Sequence, residues 1–224
     1  MFFKISRQIF FFVLIFSPLA FGAVEPWSLA VMETGAAAGL LLYLIHALKN
    51  RAPVYRVPGI LFLGLFLGYN ILQIVPFPFY VVEFVSPHAY DIQQNAGFGV
   101  ENDFWMTLSV HPWATLMEFF RYTAYAGFYI LTIQLLVQKE ILRKTVLTVT
   151  VFAAFLAFSS ILQYFLANEY ALWFRKAPDN AYVMGPFINR NHYAGFMAMV
   201  LPVAFALFLF LKPKANNVSF MRVI

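Results

Sequence analysis

The chain has 224 residues, of which 62% are hydrophobic and 11% charged, and its formal net charge is +5. Soluble domains run at about 45–50% apolar and about 25% charged, and a chain of this length cannot hide so much apolar surface against itself. The composition therefore excludes a soluble enzyme, a disordered tail and a nucleic-acid-binding domain, and makes lipid the solvent. The absence of cysteine removes disulfides, thiolate metal sites, iron–sulfur clusters and a cysteine nucleophile together.

Long apolar runs predict an all-α, polytopic integral membrane helix bundle. A transmembrane helix needs about 20 apolar residues. Runs of that kind lie at about 8–24, 28–48, 59–76, 113–137, 145–166 and 192–211, which gives about six spans in one transmembrane domain over 1–224. Lys4 and Arg7 precede the first run, and Ala20-Phe-Gly-Ala23 follows it. That pattern also describes a signal peptide with a small-residue cleavage site. The apolar run continues through Phe21 and Val24, so an uncleaved first helix is the reading taken.

Basic residues orient the spans. With the N-terminus in the cytoplasm, Lys4, Arg7, Lys49, Arg51, Arg56, Lys139, Arg143, Lys144, Lys212, Lys214 and Arg222 all fall inside, and only Arg175, Lys176 and Arg190 fall outside. Both termini are then cytoplasmic. Two outer loops follow, at about 77–112 and about 167–191. The first holds Glu83, Asp91, Glu101 and Asp103 and no basic residue, and its start, Phe77 to Pro87, reads as an interfacial segment. Aromatic residues crowd both loops, which fits either an interfacial belt or a surface for sugar rings or an isoprenoid chain.

No P-loop, dinucleotide-binding, zinc-protease or nucleophile-elbow pattern is present. The four histidines, His46, His88, His111 and His192, have no metal-ligand spacing, and no metal or cofactor is expected. Glu118 and Arg121 share a helical face at i,i+3 and reach each other as an ion pair. Charges at that depth face a bundle interior or a wet cavity. Two readings stand: an arginine aimed at an anion and held by Glu118, or a pair that locks helix packing. Glu33 either points into the same cavity or is an interfacial acid favoured by a helix N-terminus. Asn189-Arg190-Asn191-His192 stands at the mouth of the last apolar run, where Asn191 is the expected cap. Free N–H groups beside Arg190 suit a phosphate or diphosphate, and the plainer reading is a cap with a snorkelling arginine.

Gly185-Pro-Phe-Ile-Asn-Arg-Asn-His-Tyr-Ala-Gly195 resembles the G-x-F-x-N-x-N-x-x-A-G segment of the O-antigen ligase and O-antigen polymerase-like membrane proteins. Phe21-Gly-Ala-Val-Glu-Pro-Trp27 is similar to the F-G-x-x-x-P-W opening of many of them, and Glu118-x-x-Arg121 also fits. The resemblance implies a multi-pass glycosyltransferase of the bacterial inner membrane, acting in cell-envelope polysaccharide or lipopolysaccharide biosynthesis. Such enzymes move a glycan from a polyprenyl diphosphate to an acceptor hydroxyl, without nucleotide sugar or metal. It implies that Arg190 and Arg121, with Arg175 and Lys176 behind them, hold the diphosphate. Asn189, Asn191, His192, Glu118 and Glu33 support them.

The family's catalytic histidine lies in a large later periplasmic loop that the matched region lacks. The chain is thus expected to be the N-terminal half of such an enzyme, with no catalytic residue assigned in it, completed in one reading by a second membrane chain. The expected partners are the lipid bilayer, the polyprenyl-diphosphate-linked glycan and that second chain, with no nucleic acid. A non-catalytic scaffold, accessory subunit or inactive remnant of the same system is the alternative, and a lipid-linked glycan transporter a third, although no inverted repeat supports it.

Overall fold

The computed structural model describes residues 1–97, 105–166, 170–171, 175–176 and 184–211. Among these the chain is all-α apart from two short antiparallel strand pairs. Its helices are α1 (Phe2–Leu19), α2 (Pro26–Asn50), α3 (Ile60–Ile74), α4 (Phe79–Val85), α5 (Pro87–Asn95), α6 (Pro112–Leu136), α7 (Lys139–Phe165) and α8 (Arg190–Leu211). Strands β1 (Pro76–Pro78) and β2 (Trp105–Thr107) pair antiparallel, as do β3 (Tyr170–Ala171) and β4 (Arg175–Lys176).

Four helices, α1, α2, α7 and α8, are long and apolar enough to cross a membrane, so the chain is a membrane protein. α3 has 15 residues and spans about 22 Å, short of a hydrocarbon core of about 30 Å. α6 has the length, at 25 residues, but Glu118, Arg121, Tyr122, Tyr125 and Tyr129 dilute its apolar run. The first helix also differs from the expected 8–24. It begins at Phe2, because Lys4 and Arg7 extend the helix rather than precede it, and it stops at Leu19. Phe21–Ala23 then form a 3₁₀ turn. Phe21, Gly22 and Ala23 all have positive φ (59°, 74° and 55°), which ends the α-helix and costs energy at the two residues with a Cβ.

The chain forms two compact units. The first comprises Met1–Phe10 and Glu33–Gln134. Ser6 Oγ, fully buried, donates to the Gly39 carbonyl at 2.7 Å. A Cβ on Gly39 would stand 2.9 Å from Leu131 Cδ2 and 3.4 Å from Ile9 Cγ2, so this glycine lets α1, α2 and α6 approach closely. Phe10 stacks on Phe128 at 5.2 Å between ring centroids. α2 ends in a Schellman motif: Arg51 takes the left-handed conformation (φ 49°) and Ala52 N–H donates to the Ala47 carbonyl. The connection from α2 to α3 is tied to α6 by Gln134, 2% exposed, which accepts from Tyr55 N–H at 2.8 Å and donates to Tyr55 O at 2.9 Å. Tyr129 adds a bond from its hydroxyl to Pro58 O.

α3 is inside-out by the standards of a soluble helix. Its buried residue is Asn70, whereas Leu61, Phe62 and Leu65 are 67%, 75% and 62% exposed. In water that surface would be costly; in lipid it is the expected outer face. The segment between α3 and α6 folds as β1–α4–α5–β2 around Val82, Ala89 and Met106. Gln93 Nε2 donates to Thr107 O, closing α5 onto β2. His111 accepts from Ala114 N–H through Nδ1 and so caps α6, with Pro112 at its first position.

The second unit comprises Phe11–Met32 and Leu135–Ile224. Phe12, Phe16 and Trp27 form an aromatic cluster at its α1–α2 corner. Ser28, fully buried, donates to Glu25 O. α7 packs along α8, and Leu156, Ser159, Ser160 and Gln163 form the buried face of α7.

Candidate functional site

One constellation of polar and strained residues lies in the second unit, at the start of α8. Met184 and Phe187 exchange both backbone N–H···O bonds (2.9 and 3.0 Å), closing a tight turn over Gly185-Pro186. Gly185 has φ 58°. A Cβ there would meet Ser160 Oγ at 2.7 Å, so both backbone conformation and space demand glycine. Gln163 of α7, 2% exposed, accepts from Gly185 N–H at 2.8 Å and donates to Tyr170 O at 3.1 Å. One buried amide thus joins α7, the β3–β4 hairpin and the turn before α8.

Pro186 and Phe187 are buried behind that turn. The Phe187 ring contacts Tyr193 and Phe196 of α8 at 6.0 and 5.8 Å between centroids. A Cβ on Gly22 would stand 3.1 Å from the Phe187 ring. The segment at 21–23 and the segment at 185–187 therefore meet.

The cap of α8 is Asn189, not Asn191. Asn189 Oδ1 accepts from Asn191 N–H at 2.8 Å, and Asn189 O accepts from His192 and Tyr193. Arg190 is the first helical residue, which makes Asn191 the second and places its N–H where an N-cap side chain reaches. Choosing between two asparagines two residues apart requires the turn geometry that Gly185 sets. Arg190, Asn191 and His192 are exposed at this helix mouth. The helix dipole gives it a positive end, beside the charge of Arg190. Arg175 and Lys176 form β4, with Lys176 opposite Tyr170 and exposed. Gln163, the hub of this arrangement, carries no motif and was not legible as a functional residue; its only sequence signal is an amide within an apolar run.

The remaining candidates lie in the first unit. Arg121 Nη1 donates to Glu118 Oε1 at 2.6 Å, with the side chains 34% and 40% exposed. Arg121 Nε is buried with no hydrogen-bond partner. Glu33 lines a groove along α2 and α6, and Tyr125 lies within electrostatic reach of Glu33, Glu118 and Arg121. The histidines are dispersed: His46 Nδ1 meets Asn50 Nδ2 at 2.9 Å, and His111 caps α6. Among the described residues no group of three His, Asp or Glu is arranged to hold a metal ion. Of the aromatic loop residues, Phe98, Trp173, Phe174 and Tyr182 lie outside the described residues, as do the acids Glu101 and Asp103 and the terminal basic residues Lys212, Lys214 and Arg222.

Compared with protein families, with curated proteins and with solved structures, the chain matches none of them.

Proposed function

We propose that this protein is an O-antigen ligase- or polymerase-like membrane protein of cell-envelope polysaccharide biosynthesis, and that Arg190 holds the diphosphate of a polyprenyl-linked glycan. The observation that carries this reading is the helix mouth at Asn189–His192. A buried glutamine and a glycine with no room for a side chain hold the turn before it, and that turn touches Gly22. Such rigidity is what an anion site needs, because a pre-set donor does not have to reorganise when charge develops on a leaving group. Arg175 and Lys176 of the same unit supply secondary positive charge. Asn189 fixes the helix end, and Asn191 and His192 line it.

The same reading carries the fuller topology. α3 and α6 join the four long apolar helices to make about six spans, the termini lie in the cytoplasm, and the helix mouth and the α3–α6 segment face the periplasm of a bacterial inner membrane. The distribution of basic residues supports this. The diphosphate then meets Arg190 at the outer membrane surface, where a polyprenyl carrier presents its headgroup. In this reading the chain binds the donor, and the acceptor-activating base is assigned to none of its described residues.

The test is donor binding by the purified chain in nanodiscs, using a fluorescent polyprenyl diphosphate. Arg190→Ala should weaken binding by about tenfold or more, the scale of a charge-assisted hydrogen bond, and Arg190→Lys by less. Unchanged binding in Arg190→Ala, with the thermal unfolding midpoint preserved, overturns the assignment. Arg121→Ala in the same assay measures whether the Glu118–Arg121 pair contributes.

A further inference from the structure

The first unit carries a second feature, independent of the diphosphate reading. A groove of about 530 Å³ runs along α2 and α6, within the size range of small-molecule sites. Leu40, Leu41 and Leu44 form its α2 wall, and Phe120 and Ala124 face them from α6. Leu41 and Phe120 are 59% and 52% exposed, so the groove opens sideways, toward the lipid that surrounds a membrane-crossing α2. Its polar end holds Glu33 with Thr34 and Thr123, and the Thr123 hydroxyl is already engaged with Phe119 O.

Glu33 lies about 10 Å along α2 from Pro26, inside the span. Among the described residues it makes no hydrogen bond or ion pair. Glu118 and Arg121, the other charges around Tyr125, pair with each other at 2.6 Å, so their formal charges balance. The cluster is therefore left with one uncompensated carboxylate at the head of an apolar channel. A lone carboxylate at membrane depth is costly unless a cation meets it.

We propose that this groove binds a membrane phospholipid whose headgroup carries a primary ammonium, with one acyl chain along the leucine wall and the ammonium on the Glu33 carboxylate. The carboxylate selects a zwitterionic head, which carries an ammonium beside its phosphate, over one that is only anionic. The carboxylate selects N–H donors over a quaternary ammonium, which has none. The leucine face selects a hydrocarbon chain over a soluble amine.

Native mass spectrometry of the detergent-purified full chain tests this, using phosphatidylethanolamine, its N,N-dimethyl form, phosphatidylcholine and phosphatidylglycerol with identical acyl chains. Affinity should fall in the order ethanolamine, dimethyl, choline, with phosphatidylglycerol as weak as choline and the extremes separated by about tenfold. Glu33→Gln should erase the preference and retain binding without selectivity. Glu33→Asp should keep part of the preference, and Leu40→Trp, which fills the groove, should weaken all four adducts. Glu83→Gln, at an exposed acid on α4 outside the groove, should change nothing. Equal binding of phosphatidylethanolamine and phosphatidylglycerol by the unaltered chain overturns the proposal, as does a preference that survives Glu33→Gln. The headgroup series on the unaltered chain decides the matter even where a variant fails to fold.

Discussion

At the scale of single residues, the site in the second unit depends on two groups that do no chemistry. Gly185 combines positive φ with a space already filled by Ser160 Oγ. Gly185→Ala should therefore destabilise the chain by about 1–3 kcal/mol, read as a lowered thermal midpoint in detergent, and should weaken donor binding through the displaced Arg190. Gln163 satisfies a backbone N–H and a backbone carbonyl at once. Gln163→Leu keeps the volume and removes both bonds, at about 1–3 kcal/mol for the buried Gly185 N–H left unpaired. Faster hydrogen exchange at Gly185 in this variant would show the lost bond. An unchanged exchange rate there would mean that the amide has other means of protection. Gly185 heads the stretch that carries the resemblance, but its packing reason was not legible in the sequence, and Gln163 carried no signal beyond an amide in an apolar run. Gly185 has value because Ser160 stands beside it, and Gln163 because two distant backbone groups converge on it.

At the scale of elements, helix ends carry most of the local specificity. The Asn189 side chain caps α8. Asn189→Ala should cost about 0.5–2 kcal/mol and Asn189→Asp much less, whereas Asn191→Ala should be close to neutral for stability. Thermal unfolding of the three variants separates a cap at 189 from one at 191. In the first unit, Gln134 ties the α2–α3 connection to α6 through both backbone groups of Tyr55. Gln134→Ala should free that connection, seen as faster exchange of the Tyr55 amide with little change elsewhere in α6. The Glu118–Arg121 pair shows how far spacing carries an argument. An i,i+3 separation on a helix brings the two side chains together, and they meet at 2.6 Å. Spacing says nothing of Glu33, on another helix, which lines the groove between α2 and α6.

At the scale of the whole molecule, the open question of topology has a clean test, because the chain contains no cysteine. Single cysteines can be introduced at Val54, between α2 and α3, and at Gln94, near the end of α5. In intact cells with a permeabilised outer membrane, a membrane-impermeant maleimide should label Gln94→Cys and spare Val54→Cys until the inner membrane is opened. The reverse pattern would refute a cytoplasmic N-terminus.

Composition determined that this is a membrane protein, and the long apolar runs that it is built of helices. With 62% hydrophobic and 11% charged residues, no water-soluble packing of this length is stable, and helices satisfy their own backbone in a bilayer. The approximate helix positions followed from the same apolar runs. Local periodicity does not set where strain ends a helix. The turn at Phe21–Ala23, against which the Phe187 ring packs at Gly22, therefore came from three-dimensional packing. So did the choice of Asn189 as cap, the contact of Gly22 with Phe187, the hub at Gln163 and the groove beside Glu33. Each of these joins residues whose spacing in the chain carries no period, and only the folded backbone brings their atoms within hydrogen-bonding or van der Waals range.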